Sequence, residues 1–405
     1  MAMSAGARVE RELPRTLAGA TVLQIVPSLR EGPAGYVAVN VAEALIKAGA
    51  RAIVASDTGP LAEKLIGFGG EWISYPGTTF SPLKLRRNVE WLTKLLLREP
   101  IDIVHAKSAG AAWCALPAVE RVPAKFVTEL PDLPYAQMLL GAFHLRAVSS
   151  GDRVIVRSLF DAQPMVSRYN VSPSHVRVIA RPIDIRTFDP AAVVPSRVAA
   201  LRQSWGVPSG ARVVLIPGRV GAQNGQISLV AAARLLTEQG MRGVTFILLG
   251  DDKRHPRYVQ SILKQAQAEN VFALFRVVGE VADTPSALAA ADIVVVPYIK
   301  PPVTARVVAE AQAMARPVVT TNVGALAEAV QVPPNVAAEF RTGWVVPPND
   351  PAELARALGE VLRFDDEGYR ALALRSRKSA VYLFAPESVI TATLDAYNSL
   401  LQADT

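Results

Sequence analysis

The chain is poor in cysteine, aromatics and histidine. A single cysteine, Cys114, stands among 405 residues. That excludes a disulfide framework and a cysteine metal site. Cys114 lies in an apolar, helix-like run, where a small buried hydrophobe is expected. No apolar run is long enough to span a bilayer. The opening stretch "MAMSAGARVERELPRTLAGA" has no hydrophobic core of signal-peptide type. It reads as a flexible, mixed-charge leader over residues 1–19, and the protein is expected in the cytoplasm. The usual nucleic-acid motifs are missing, so no nucleic-acid partner is expected. His105, His144, His175 and His255 show no metal-ligand spacing.

Apolar residues, by contrast, make up 50% of the chain. That content suffices for large cores, and the length favours two domains over one. A net charge of +7 suits an anionic partner, such as a nucleotide or an acidic membrane surface.

Short β-rich runs alternate with helix-period segments. Residues 21–28, 50–56, 101–108, 124–130, 153–158 and 176–182 read as buried strands. Between the first two, Val37, Val41, Ala44, Leu45 and Ala48 recur on one helix face, and Gly49 ends the helix. The pattern pauses at "IDIRTFDP" and resumes with strands at 211–220, 244–252, 275–281, 291–298 and 316–322. This is the βαβ rhythm of a parallel, doubly wound sheet, given twice. The expected domains are 20–188 and 189–385, followed by a C-terminal helix from 386 that crosses back to the first domain. Ligands of such sheets bind at the carboxyl ends of the strands, here facing a central cleft.

The segment "SPLKLRRNVEWLTKLLLR" (81–98) predicts an amphipathic helix. Leu85, Val89, Leu92 and Leu96 form its apolar stripe, with Lys84, Arg87, Lys94 and Arg98 opposite and Trp91 nearby. It is either a peripheral contact with the inner face of an acidic membrane or an ordinary domain helix with its charges in water.

Two turns carry candidate chemistry. In "GRVGAQNGQISLV" a strand ends at Gly218-Arg219, and a helix is expected to open near Gly225. Glycines let a backbone approach a ligand closely, and a helix N-terminus offers N–H groups to phosphate. Arg219 suits a two-point contact with phosphate oxygens; taken alone, it reads first as a surface arginine in an ordinary turn. In "PYIKPPVTARVVAEAQAMARPVVTT" a helix is expected from about Thr304, with Thr304 as its N-cap. Glu310 lies well inside that helix among apolar neighbours. Such a carboxylate either accepts bonds from two ribose hydroxyls or sits partly exposed. His105 ends a strand, where acceptor contact and a structural role are both open. Asp251 and Asp252 follow a strand and either line the cleft or cap the loop, with the loop role favoured.

"VVAEAQAMARPVVTTNVGALAEAV" followed by "RTGWVVPPNDPAELARAL" resembles the C-terminal signature of GT-B glycosyltransferases, specifically the large family-4 group. "GRV", "FILLGDD", "GEVADTPSALAAADIVVVP" and "LQIVPSL" fall where that family places their counterparts. The likeness spans roughly residues 20 to 402 and is similar to bacterial enzymes of lipopolysaccharide and surface-glycan synthesis. The resemblance implies two Rossmann-like domains, a nucleotide-sugar donor on the second and a glycan or lipid-linked acceptor on the first. It also implies retention of configuration and no metal or other cofactor.

Position by position, Arg219 matches the family's pyrophosphate arginine. Glu310 matches the second glutamate of its E-x7-E motif, the ribose ligand. Asn224 stands where a lysine is usual, before Gly225, and Pro302 replaces the first glutamate. Thr304, Ala305, Arg306 and Val307 occupy the glycine-rich stretch. Gly32, Pro33, Ala34 and Gly35 occupy the N-terminal glycine loop. Pro131 or Asp132 holds the place of a frequent histidine. Lys300, Arg306, Lys253 and Arg254 are expected to replace the missing positive charge. The resemblance thus implies a glycosyltransferase with a rearranged phosphate site or, alternatively, an inactive relative that binds nucleotide or regulates a partner enzyme.

Overall fold

The structure, a computed structural model, describes residues 12–77, 82–131, 142–250, 254–302 and 304–402, with 82–84 and 142–144 described by backbone alone. Asp132, Asp251, Asp252, Lys253 and the side chains of Lys84 and His144 therefore lie outside the described residues. The chain divides into two compact units, Met1–Pro182 with Pro386–Thr405, and Ile183–Ala385.

The first unit runs β1 (Thr21–Ser28), α1 (Pro33–Lys47), β2 (Arg51–Asp57), α2 (Leu61–Gly67), β3 (Glu71–Ser74), α3 (Pro82–Arg98), β4 (Ile103–Ala106), α4 (Ala109–Val119), β5 (Lys125–Glu129), α5 (Ala142–Ser149), β6 (Arg153–Val156), α6 (Leu159–Ser167) and β7 (Val176–Val178). Its strands form one sheet in the order β3-β2-β1-β4-β5-β6-β7. Every pairing in it is parallel. Side chains alternate across the sheet. Leu23, Ile53, Val104, Phe126 and Val154 enter one core, against residues of α3, α4 and α5. Val22, Val54, Ile103, Val127 and Ile155 enter the other, with α1. Both faces are covered, so the strands read as continuous apolar runs.

The second unit runs α7 (Pro195–Ser204), β8 (Arg212–Pro217), α8 (Ser228–Glu238), β9 (Val244–Leu249), α9 (Pro256–Ala268), β10 (Phe275–Val277), α10 (Thr284–Ala289), β11 (Ile293–Val296), α11 (Arg306–Ala313), β12 (Val318–Thr321), β13 (Gly343–Val346), α12 (Pro351–Leu362) and α13 (Asp366–Phe384). Its sheet has the order β10-β9-β8-β11-β12-β13. All pairings are again parallel.

The structure departs from the sequence-based expectations in several places. β3 and β13 were not expected. The second unit begins at Ile183 rather than 189. Ile183 donates its backbone N–H to Phe384 O, and Arg377 holds the Phe188 carbonyl, which ties this connector to α13. The expected leader is packed before residue 20. Leu17 is buried and donates its backbone N–H to Asn398 Oδ1 at 3.3 Å, and the Gly19 N–H donates to the Gly49 carbonyl.

The last helix, α14 (Pro386–Gln402), belongs to the first unit. Val389, Ala396, Tyr397, Leu400 and Leu401 join the core beside α1. Cys114 is free and buried. Among the described residues no helix is long and apolar enough to cross a membrane.

The stripe on α3 is committed to the protein interior. Leu92, Leu95 and Leu96 are buried in the core, and Leu85, Val89 and Trp91 pack against it. Arg87 and Lys94 stay in water. Leu92→Ala is expected to lower the free energy of unfolding by about 2–5 kcal/mol. Lys94→Ala, on the same helix, should change it by no more than about 0.5 kcal/mol. Urea unfolding checks both; equal effects would contradict this orientation of α3.

Candidate functional site

All strands of the second sheet run parallel, so β8, β9, β11 and β12 end at one edge. The candidate donor residues lie in the segments that leave that edge. After β8 the backbone turns at Gly218, whose φ is +113°, and a short 3-10 turn covers Ala222–Asn224. Gly225 follows in the left-handed region at φ +68°. A Cβ on Gly225 would stand 1.9 Å from the Pro297 carbonyl oxygen. Gly225 therefore lets the turn after β8 close directly on the backbone after β11. The Gln223 carbonyl completes the junction, accepting from the N–H of Ile299 at 2.9 Å and of Lys300 at 3.3 Å.

The helix expected near Gly225 opens later, at Ser228. The 3-10 turn precedes Gly225, and Gln226 and Ile227 form a further turn before the helix. Asn224 ends the 3-10 turn. Its side-chain amide donates to the Arg219 carbonyl, which also accepts from Gln226 Nε2 at 3.0 Å. Asn224 thus ties the turn to itself. The Arg219 side chain is left exposed, with its charge near the half-buried Tyr298. Burial raises the Tyr298 hydroxyl above its ordinary pKa, and Arg219 pulls it back. A Cβ on Gly218 would meet Tyr298 Oη at 2.8 Å. Tyr298 is thus a member of the site that sequence reasoning missed; its one signal was a polar aromatic ending a buried strand.

The helix α11 is shorter than expected. It starts at Arg306, its N-cap is Ala305, and no side chain caps it. Thr304 lies one position earlier, its Oγ1 3.4 Å from the Arg306 nitrogen. Val307 is half-buried in the first turn. Glu310 is buried, at 6% exposure. Its Oε1 accepts from Arg306 Nε at 2.6 Å, one helical turn away. Burial raises the Glu310 carboxyl above its ordinary pKa, and Arg306 opposes the rise. The buried carboxylate therefore has a partner of its own in this chain. Pro302 brings no carboxylate to the opposite side. Lys300 is exposed.

In the first unit, Gly32, Pro33, Ala34 and Gly35 are not a loop. Gly32 is the N-cap of α1, and Pro33 takes its first position. There a missing N–H costs nothing, because that donor has no partner within the helix. Gly35 is needed for a close approach: a Cβ there would stand 2.6 Å from the Arg30 carbonyl.

His105 lies inside β4 and is fully buried. Its Nδ1 shares a 2.6 Å hydrogen bond with the Tyr397 hydroxyl, on α14. Its Nε2 stands 3.5 Å from Glu129 Oε2. Lys107 Nζ is 3.4 Å from the same oxygen, and Arg157 holds the other. Burial pushes the histidine well below its ordinary pKa, helped by the charges of Lys107 and Arg157. The ring is neutral and has no exposed surface with which to touch an acceptor. Burial and Arg157 also lower Lys107, to about 7. No local pattern signals that Glu129, Arg157 and Tyr397 gather here, since they come from distant parts of the chain. Among the described residues no group of three or more His, Cys, Asp or Glu side chains is placed to hold a metal ion.

Two family models match this chain. The glycosyltransferase family 4 model takes residues 34–187, and the glycosyl transferases group 1 model takes 211–363. A D-inositol 3-phosphate glycosyltransferase of Salinispora arenicola is 28% identical over 267 residues, 64% of this chain and 57% of that protein. The chain thus spans less than three fifths of that relative's length. A solved glycosyltransferase from Rickettsia africae shares the fold with a TM-score of 0.69 at 23% identity, over 95% of this chain and 99% of that one. Anabaena HepE, solved in complex with UDP, gives 0.67 at 20% identity, over 94% and 100%. One family model lies on each unit, and solved glycosyltransferases share the two-sheet architecture: the chain belongs to the family-4-like glycosyltransferases of GT-B fold.

Proposed function

We propose that the chain is a glycosyltransferase that moves a sugar from a nucleoside-diphosphate donor to a glycan or lipid-linked acceptor. The observation that carries this reading is the edge of the second sheet. There a glycine turn bearing Arg219 closes on the segment that leads into α11, and α11 presents the buried Glu310. In this reading Arg219 pairs with the diphosphate and Glu310 accepts from ribose hydroxyls. The open N–H groups at the start of α11 favour negative charge. HepE has been solved with UDP and with UDP-glucose, which supports a donor of this class.

The sugar C1–oxygen bond to the diphosphate breaks, and the acceptor hydroxyl oxygen bonds to C1. The hydroxyl proton passes to the departing diphosphate, whose charge is held by placed cations. We propose retention of configuration, no metal requirement and a place in cell-envelope polysaccharide or lipopolysaccharide synthesis. The exposed cations of α3 suit peripheral contact with an acidic membrane.

A second reading has its own support. Asn224 is turned onto the Arg219 carbonyl, Pro302 offers no carboxylate, and Glu310 is already paired. These features favour a protein that binds nucleotide without transferring sugar and that scaffolds or regulates a partner enzyme.

Calorimetric titration with UDP, GDP and ADP tests the donor site. One of them is expected to bind, with Arg219→Ala and Glu310→Ala each weakening it about tenfold, about 1.4 kcal/mol. No binding of any would overturn both readings. Binding without turnover of the matching nucleotide sugar would select the second.

A second test concerns stability. Because the native state raises the Glu310 pKa, it holds that proton more tightly than the unfolded chain. The associated stability is present at acidic pH and is lost as pH rises through the native pKa. Glu310→Gln removes the cost of the buried charge. Its thermal midpoint should exceed that of wild type at pH 8, and the gap should close toward pH 5. A variant less stable than wild type at pH 8 would contradict a carboxylate kept for ligand rather than for fold.

A further inference from the structure

The Arg306–Glu310 pair is lopsided. The carboxylate side chain is 8% exposed and the arginine 58%. A buried carboxylate without a donor is costly, so Glu310 needs a bond from somewhere. Arg306 has no such need. Its guanidinium is half in water, and exposed pairs at this helical spacing contribute little. Glu310 is the one side-chain partner given to that guanidinium among the described residues. The contact is therefore one that a better donor to Glu310 can displace.

The turn after β8 carries a single cation, Arg219. Asn224 stands in the turn after β8, and its amide is committed to the Arg219 carbonyl. Arg306 is the first residue of α11, at the uncapped end where free N–H groups already favour anions. A guanidinium can hold phosphate oxygens at two points.

We propose that a nucleoside diphosphate exchanges this pair: ribose hydroxyls replace Arg306 as donors to Glu310, and the released guanidinium pairs with the diphosphate. This rests on the donor site proposed above and assigns Arg306 the charge that Asn224 lacks. The contact in the empty protein is then a placeholder. It keeps the buried carboxylate bonded until the ribose arrives and delivers a cation as it leaves.

The exchange makes a prediction that a merely structural pair does not. The test uses the full chain as wild type, Arg306→Ala and Arg306→Lys, with UDP measured by calorimetry and uridine by ligand-observed NMR. GDP with guanosine or ADP with adenosine replaces them if wild type prefers that base. Arg306→Ala should weaken the diphosphate about tenfold or more while nucleoside binding stays unchanged or tightens, because Glu310 no longer has a competing donor. Arg306→Lys should restore part of the diphosphate affinity. Thermal unfolding of each variant without ligand establishes that it is folded. Equal losses for diphosphate and nucleoside, or no loss for either, would overturn the exchange. If wild type binds no nucleoside diphosphate, the donor-site reading fails and the exchange fails with it. If wild type binds and Arg306→Ala binds equally well, the exchange alone is lost.

Discussion

At Gly225 two backbones meet with no room for a side chain between them. The left-handed φ and the Pro297 carbonyl leave glycine as the one residue that fits there without strain. The rest of the donor region depends on that contact. It seats the turn after β8 on the segment after β11. The Gln223 carbonyl then bonds Ile299 and Lys300, and Gly218 comes against Tyr298. Gly250 repeats the device, since a Cβ there would stand 2.0 Å from the Gly218 carbonyl. Loops from β8, β9 and β11 are thus packed backbone to backbone. Arg219 projects from a turn whose shape is set by its neighbours rather than by a ligand.

The first unit solves a different problem by similar means. Glu129 brings a carboxylate to the buried end of β5. Removing it from water is costly unless partners surround it. His105, Lys107 and Arg157 do so from β4, the residue after β4, and the residue after β6. Tyr397 then links the cluster to the far end of the chain. Arg153 adds a bond to Ser399 at 3.0 Å. These contacts, with the apolar face of α14, give the C-terminal helix one place to dock.

The strands were legible because parallel sheets bury both faces and leave uninterrupted runs of valine, isoleucine and leucine. Glu71–Ser74 escaped because it is a short edge strand with exposed ends. Gly343–Val346 escaped because prolines and polar residues crowd it on both sides. Positions within the site were less legible than its elements. Strand spacing placed the turn that holds Asn224 and the helix that holds Glu310, and the family resemblance singled out the two residues. That Asn224 would turn to a backbone carbonyl, or Arg306 to Glu310, depends on tertiary geometry that no local pattern encodes. The loop expected at Gly32, Pro33, Ala34 and Gly35 is a helix start for a related reason: proline suits the first position of a helix as well as a loop. His105 looked like the end of a strand, but α14 covers it.

Hydrogen–deuterium exchange of the full chain with and without UDP tests the central claim most directly, with GDP or ADP used if UDP does not bind. The account predicts slowed exchange in two stretches together, the turn at 218–227 and the backbone at 297–310, with little change across β1 to β7. Protection confined to the first unit, or none at all with bound nucleotide, would contradict a donor site built on the second sheet.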